Sequence, residues 1–80
     1  MIQVRLKLIA NLRQFLPAGA QRGTCMLHVP AGSSIGELLE RVGVPEPGGE
    51  VVLLNGRDAR LDDFVQEGDT VAVFPRIAGG

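Results

Sequence analysis

The stretch Val51-Val52-Leu53-Leu54-Asn55-Gly56-Arg57 decides the fold. Four successive aliphatic residues predict a strand, and their lack of alternation predicts burial on both faces. Asn55-Gly56 is the strongest short hairpin signal, because both residues tolerate the positive φ angles that a two-residue turn demands. A short strand over residues 57–60 therefore returns beside the first. Beyond it, Asp62-Asp63-Phe64-Val65 reads as a single capped turn and Gln66-Glu67-Gly68-Asp69 as a second turn. Thr70–Phe74 is a last strand, with Val71 and Val73 on one face and Thr70, Ala72 and Phe74 on the other.

Upstream of this stretch, Ser34-Ile35-Gly36-Glu37 is a capping-box pattern, followed by Leu38, Leu39 and Val42 at helical spacing. Gly43 stands where a left-handed cap ends a helix, and Pro45 and Pro47 forbid its continuation. Thr24–Val29 alternates and predicts a strand. Residues 11–16 fit a short helix, with Asn11 as N-cap and Leu12, Phe15 and Leu16 as its apolar stripe. Ile2–Leu8 alternates apolar with polar residues and predicts a half-buried strand. The order is strand, short helix, strand, long helix, then three strands. One long helix against four or five strands, with hairpins at each end, is an α+β layout of two layers. The β-grasp arrangement satisfies it: a mixed sheet, the first and last strands side by side in its centre, and the main helix across one face. Residues 1–74 would form the domain and residues 75–80 a flexible tail.

Composition narrows the function. A chain of 80 residues is one small domain at most. At 45% apolar and 21% charged residues it has the balance of a globular chain. A core this small leaves no room for a deep cofactor cavity. The net charge of −1 offers no basic excess to drive nucleic-acid binding. A single cysteine forms no internal disulfide, which fits a reducing compartment. Arg5 and Lys7 interrupt the first apolar stretch, so no export signal is expected, and Val51–Leu54 is far too short to span a membrane. These features predict a cytoplasmic protein.

No side-chain constellation carries chemistry. Cys25 and His28 are three apart in a strand, which places them on opposite faces, and no second Cys or His completes a metal site. Cys25 then reads as a small core residue. Asp62 and Asp63 do not converge on one substrate and read as turn caps. The acidic run Asp58, Asp62, Asp63, Glu67 and Asp69 reads as a solvated face able to complement a basic partner. The glycines at positions 19, 23, 48 and 49 match no phosphate-binding pattern.

The last residues differ. Gly79-Gly80 adds nothing to a core, but two residues without Cβ atoms can enter a narrow channel and present the Gly80 carboxylate there. The alternative is an inert, frayed end.

At this point the chain resembles the MoaD/ThiS family of ubiquitin-like sulfur carriers. The resemblance rests on Val51-Val52-Leu53-Leu54-Asn55-Gly56-Arg57, on Leu61 with Glu67-Gly68-Asp69-Thr70-Val71, and on Val73-Phe74-Pro75-Arg76-Ile77-Ala78-Gly79-Gly80. Ile9-Ala10-Asn11-Leu12-Arg13 and the run from Val29 to Leu39 resemble the family's approaches to its two helices. Within the family the pattern is nearest to molybdopterin synthase small subunits. Two positions depart from it, with Arg76 where a second proline is usual and Ile9 where an aromatic is common.

The resemblance implies that an E1-like adenylating enzyme uses ATP to activate the Gly80 carboxylate, with no cofactor bound by this chain. A persulfide donor then leaves a thiocarboxylate on Gly80. The acceptor would be a molybdopterin synthase large subunit, or the enzyme of another pathway such as thiamin thiazole formation. Gly79, Ala78, Ile77 and Arg76 would be read by these enzymes. Phe74, joined by Ile9, would anchor them on the sheet. A ubiquitin-like modifier, conjugated through Gly80 to a lysine amine, shares the same tail chemistry. A β-grasp interaction module with an inert tail is the third reading.

Overall fold

The computed structural model describes residues 1–45 and 50–75. The expected tail residues Arg76, Ile77, Ala78, Gly79 and Gly80 lie outside them. Five strands form one mixed sheet: β1 Ile2–Leu8, β2 Thr24–Val29, β3 Val51–Leu54, β4 Arg57–Ala59 and β5 Thr70–Phe74, in the order β2-β1-β5-β3-β4. β1 and β5 are adjacent, as expected, and run parallel, and the other neighbours are antiparallel. The main helix, α1, spans Ile35–Val42.

The core follows the alternation. Val4, Leu6 and Leu8 of β1 and Val71 and Val73 of β5 are all fully buried, in one cluster with Ile35, Leu38 and Leu39 of α1. The helix thus covers one face of the sheet. Its start is the expected capping box: the Glu37 N–H donates to the Ser34 hydroxyl at 3.2 Å, and the Ser34 N–H donates to the Glu37 carboxylate at 2.9 Å. Gly43 ends it at φ 90°, a conformation that costs a residue without Cβ little. The β3–β4 turn has Asn55 at φ 53° and Gly56 at φ 84°, the double positive φ that a tight hairpin turn requires.

Four local expectations are corrected. Val51 is 52% exposed and Val52 only 5%, so β3 alternates after all. Its outer face has no covering layer among the described residues, and aliphatic side chains there do not signal burial. The short helix is a 3-10 segment, Ala10–Phe15, preceded by Ile9 with no side-chain cap, so Asn11 is not its N-cap. Both ends are dictated from outside. The Ile9 N–H is held by the Val73 carbonyl at 3.1 Å, and Leu16 is extended, as a residue before proline prefers. β4 stops at Ala59. The predicted turn at residues 62–65 instead closes over Arg60 and Asp63: the Arg60 N–H donates to the Asp63 carboxylate at 2.8 Å, and Phe64 bridges to Ser34.

Candidate functional site: the outer sheet face at the end of β5

β5 is the central strand, and Phe74 is its last residue. The segment that begins at Pro75 therefore leaves from the middle of the sheet. Inward-facing Val71 and Val73 are fully buried, which turns Thr70, Ala72 and Phe74 to the face that α1 does not cover. The register fixes their neighbours. Val51 lies opposite Phe74, Leu53 opposite Ala72, and Lys7 opposite Ala72 on the other side. Leu8 lies opposite Val73, so Ile9 is level with Phe74.

The result is an apolar row, Ile9–Phe74–Val51, above a second row, Lys7–Ala72–Leu53. Phe74, Ile9 and Leu53 are half-buried and Lys7 is exposed. The structure brings Phe74 and Ile9 together as the sequence suggested. It adds Val51 and Leu53, which the reading of β3 as doubly buried had hidden. Their signal was available in the register: with Val52 facing the core, Val51 and Leu53 must face away.

The acidic residues behave differently. The Glu67 carboxylate accepts the Gln3 N–H at 3.1 Å. Asp69 accepts the Gln66 N–H at 2.7 Å and the Asn55 side-chain amide at 3.0 Å. Asn55 in turn accepts the Thr70 N–H at 2.9 Å. These side chains lock the hairpin to the start of β5. Asp58 and Asp62 remain exposed.

Cys25 is buried on the core side of β2 and His28 exposed on the other face, so the two do not meet. Burial pushes the Cys25 thiol up from its ordinary value of 9.0. A thiol held in its protonated form is a weak nucleophile. Among the described residues no group of three or more His, Cys, Asp or Glu could hold a metal, and no helix is long and apolar enough to cross a membrane.

Comparison with solved structures places this geometry. The chain is 25% identical to a protein named as molybdopterin converting factor subunit 1 from Pyrococcus furiosus, with a TM-score of 0.71 over 96% of this chain and 100% of that one. Small archaeal modifier protein 1 of Haloferax volcanii superposes with a TM-score of 0.75 at 24% identity, over 96% and 100% of the two chains. A Helicobacter pylori complex of subunits 1 and 2 of molybdopterin-converting factor contains the same fold, at TM-score 0.59 and 15% identity over 99% and 100%. No curated protein matches in sequence. The family model described as Mut7-C ubiquitin matches residues 1–79. With its five-stranded ubiquitin-like sheet and this match over nearly its whole length, the chain belongs to the Mut7-C ubiquitin family.

Proposed function

We propose that this chain is a sulfur carrier: a protein co-substrate, without catalytic residues of its own, whose Gly80 carboxyl group is activated and thiolated by partner enzymes. An E1-like enzyme would join the carboxylate to AMP, with release of pyrophosphate from ATP. A persulfide sulfur would then displace AMP and form an acyl disulfide. Attack by a second thiol on that disulfide would release the Gly80 thiocarboxylate. The nucleophilic sulfur is then carried to an acceptor enzyme. Molybdopterin formation is the first candidate pathway, with a synthase large subunit as acceptor. This chemistry belongs in a reducing, cytoplasmic setting.

The observation that carries the reading is the position of the tail motif. The central strand ends at Phe74, beside Ile9 and Val51, and the sequence that continues from Pro75 to Gly80 comes next, so an enzyme seated on that row would stand at the start of the motif. Similarity to a molybdopterin converting factor subunit 1 supports it, as does the fold shared with a subunit found in complex with its subunit 2. The fold shared with a small archaeal modifier favours a second reading, in which a lysine amine takes the activated Gly80.

The test is adenylation of the full chain by its E1-like partner with ATP, read as pyrophosphate release. Deletion of Gly79-Gly80 should abolish the reaction and leave thermal unfolding unchanged, since glycine has no side chain to bury. A truncated chain that is still adenylated would remove Gly80 from the reaction.

A further inference from the structure

β2 is an edge strand. The Leu8 N–H donates to the Gly23 carbonyl at 2.9 Å, and the register pairs Leu6 with Cys25 and Val4 with Leu27. Bonded and unbonded pairs alternate along an antiparallel ladder. Cys25, Leu27 and Val29 therefore turn their backbone groups toward β1, while Thr24, Met26 and His28 turn theirs outward. Thr24 is already occupied: its N–H donates to the Gln21 carbonyl at 2.9 Å, and its carbonyl accepts the Gln21 N–H at 3.1 Å. Among the described residues, Met26 and His28 form the open length of the edge, and both are exposed. Proteins usually blunt such an edge with proline, a bulge or a covering segment. Here the covering segment stops at Gln21.

That segment also builds a groove next to the open edge. Pro17, Ala18 and Gln21 are among its lining residues, with Arg5, Thr24 and Met26, around a volume of about 460 Å³. The one charged residue that lines the groove is a cation, Arg5. None of the nine carboxylate side chains precedes Glu37, whereas Arg5, Lys7, Arg13 and Arg22 all do. The overall charge of −1 conceals this division. β1, β2 and the segment between them thus carry cations without a single anion of their own.

We propose that the β2 edge binds an extended acidic peptide segment of a partner protein as an added strand. Its backbone pairs with the outward N–H and carbonyl groups of Met26 and His28. Its aliphatic side chains lie against Met26 on one face and the half-buried Leu27 on the other, and its carboxylates meet Arg5 and Arg22. Backbone pairing supplies affinity in such complexes, and alternate side chains supply specificity. β1 separates this edge from β5, so an occupied edge leaves the row of Ile9, Phe74 and Val51 free for a second partner.

The test uses the full chain, isotopically labelled, titrated in an NMR experiment with a short synthetic peptide that alternates Val with Asp or Glu. The amides of Met26 and His28 should shift and gain protection from hydrogen exchange, with further shifts at residues 17–24. The same peptide with Lys in place of its acids should not bind. Met26→Pro removes an outward-facing N–H, which edge strands tolerate, and should abolish binding. Arg5→Glu leaves the backbone unaltered and should weaken binding by about tenfold or more. Binding that ignores peptide charge would overturn the proposal, as would shifts centred on Ile9, Phe74 and Val51. So would no binding of the acidic peptide while a single-stranded oligonucleotide binds at Arg5.

Discussion

Phe74 stands at the last position of the central strand, half-buried and flanked by Ile9 and Val51. Aromatic side chains in this setting dominate binding energy, whereas the core beneath is built by Val71 and Val73. Phe74→Ala should weaken binding to the adenylating enzyme by about 1–3 kcal/mol. Titration calorimetry against that partner, set beside thermal unfolding, checks this. Unchanged affinity with a large fall in melting temperature would assign Phe74 to the core. Cys25 gives a second prediction at this scale. Its folded thiol holds its proton above the ordinary 9.0, because burial disfavours the thiolate. As pH rises through that value, the unfolded chain releases the proton and the folded chain keeps it. The folded state then binds more protons, so stability is full below the ordinary value and declines above it. Denaturation midpoints should fall more steeply in alkali for the native chain than for Cys25→Ala, and parallel profiles would contradict the assignment.

Among the elements, α1 has the most explicit local instructions. Ser34→Ala removes the hydroxyl that accepts the Glu37 N–H and should cost about 0.5–2 kcal/mol of stability, read from chemical denaturation. A stability equal to that of the native chain would mean that the cap adds nothing to tertiary packing. This element was legible because its signals are local: Ser34 and Glu37 three apart, Leu38 and Leu39 inside, Gly43 at the end. β1, β2, β5 and the Asn55-Gly56 turn were legible for the same reason. The misread places depend on distant partners. Val51 looked buried because its aliphatic neighbours match a doubly covered strand, and only the absence of a second layer among the described residues exposes it. The helix after β1 starts where the Val73 carbonyl releases Ile9, a partner 64 positions away that no local cap announces. Asp63 caps backward onto Arg60 rather than forward. At the candidate site, Phe74 and Ile9 were found from alternation, but Val51 and Leu53 needed the β3–β5 register.

At the scale of the molecule, the fold fixes the end of its central strand. A compact core, Leu6 and Leu8 against Leu38 and Leu39, holds β5 in the sheet centre. The Asn55–Asp69–Thr70 hydrogen bonds fasten the start of that strand. Its other end therefore leads into Pro75 and the motif ending at Gly80 from a fixed point beside an apolar row. In the proposed function, partner choice would rest with the sheet face and the chemistry with Gly80, which would let one carrier serve several enzymes in turn. The central claim is that the Gly80 carboxyl becomes a thiocarboxylate. Its most direct test is the mass of the peptide ending at Gly80, from chain recovered out of the cells that make it. The account predicts a species heavier by the difference between one sulfur and one oxygen, which gains one alkyl group at that sulfur on alkylation and returns to the free carboxylate only when the resulting thioester is hydrolysed. Recovery of Gly80 only as a free carboxylate, or only in isopeptide linkage to lysine, would contradict it.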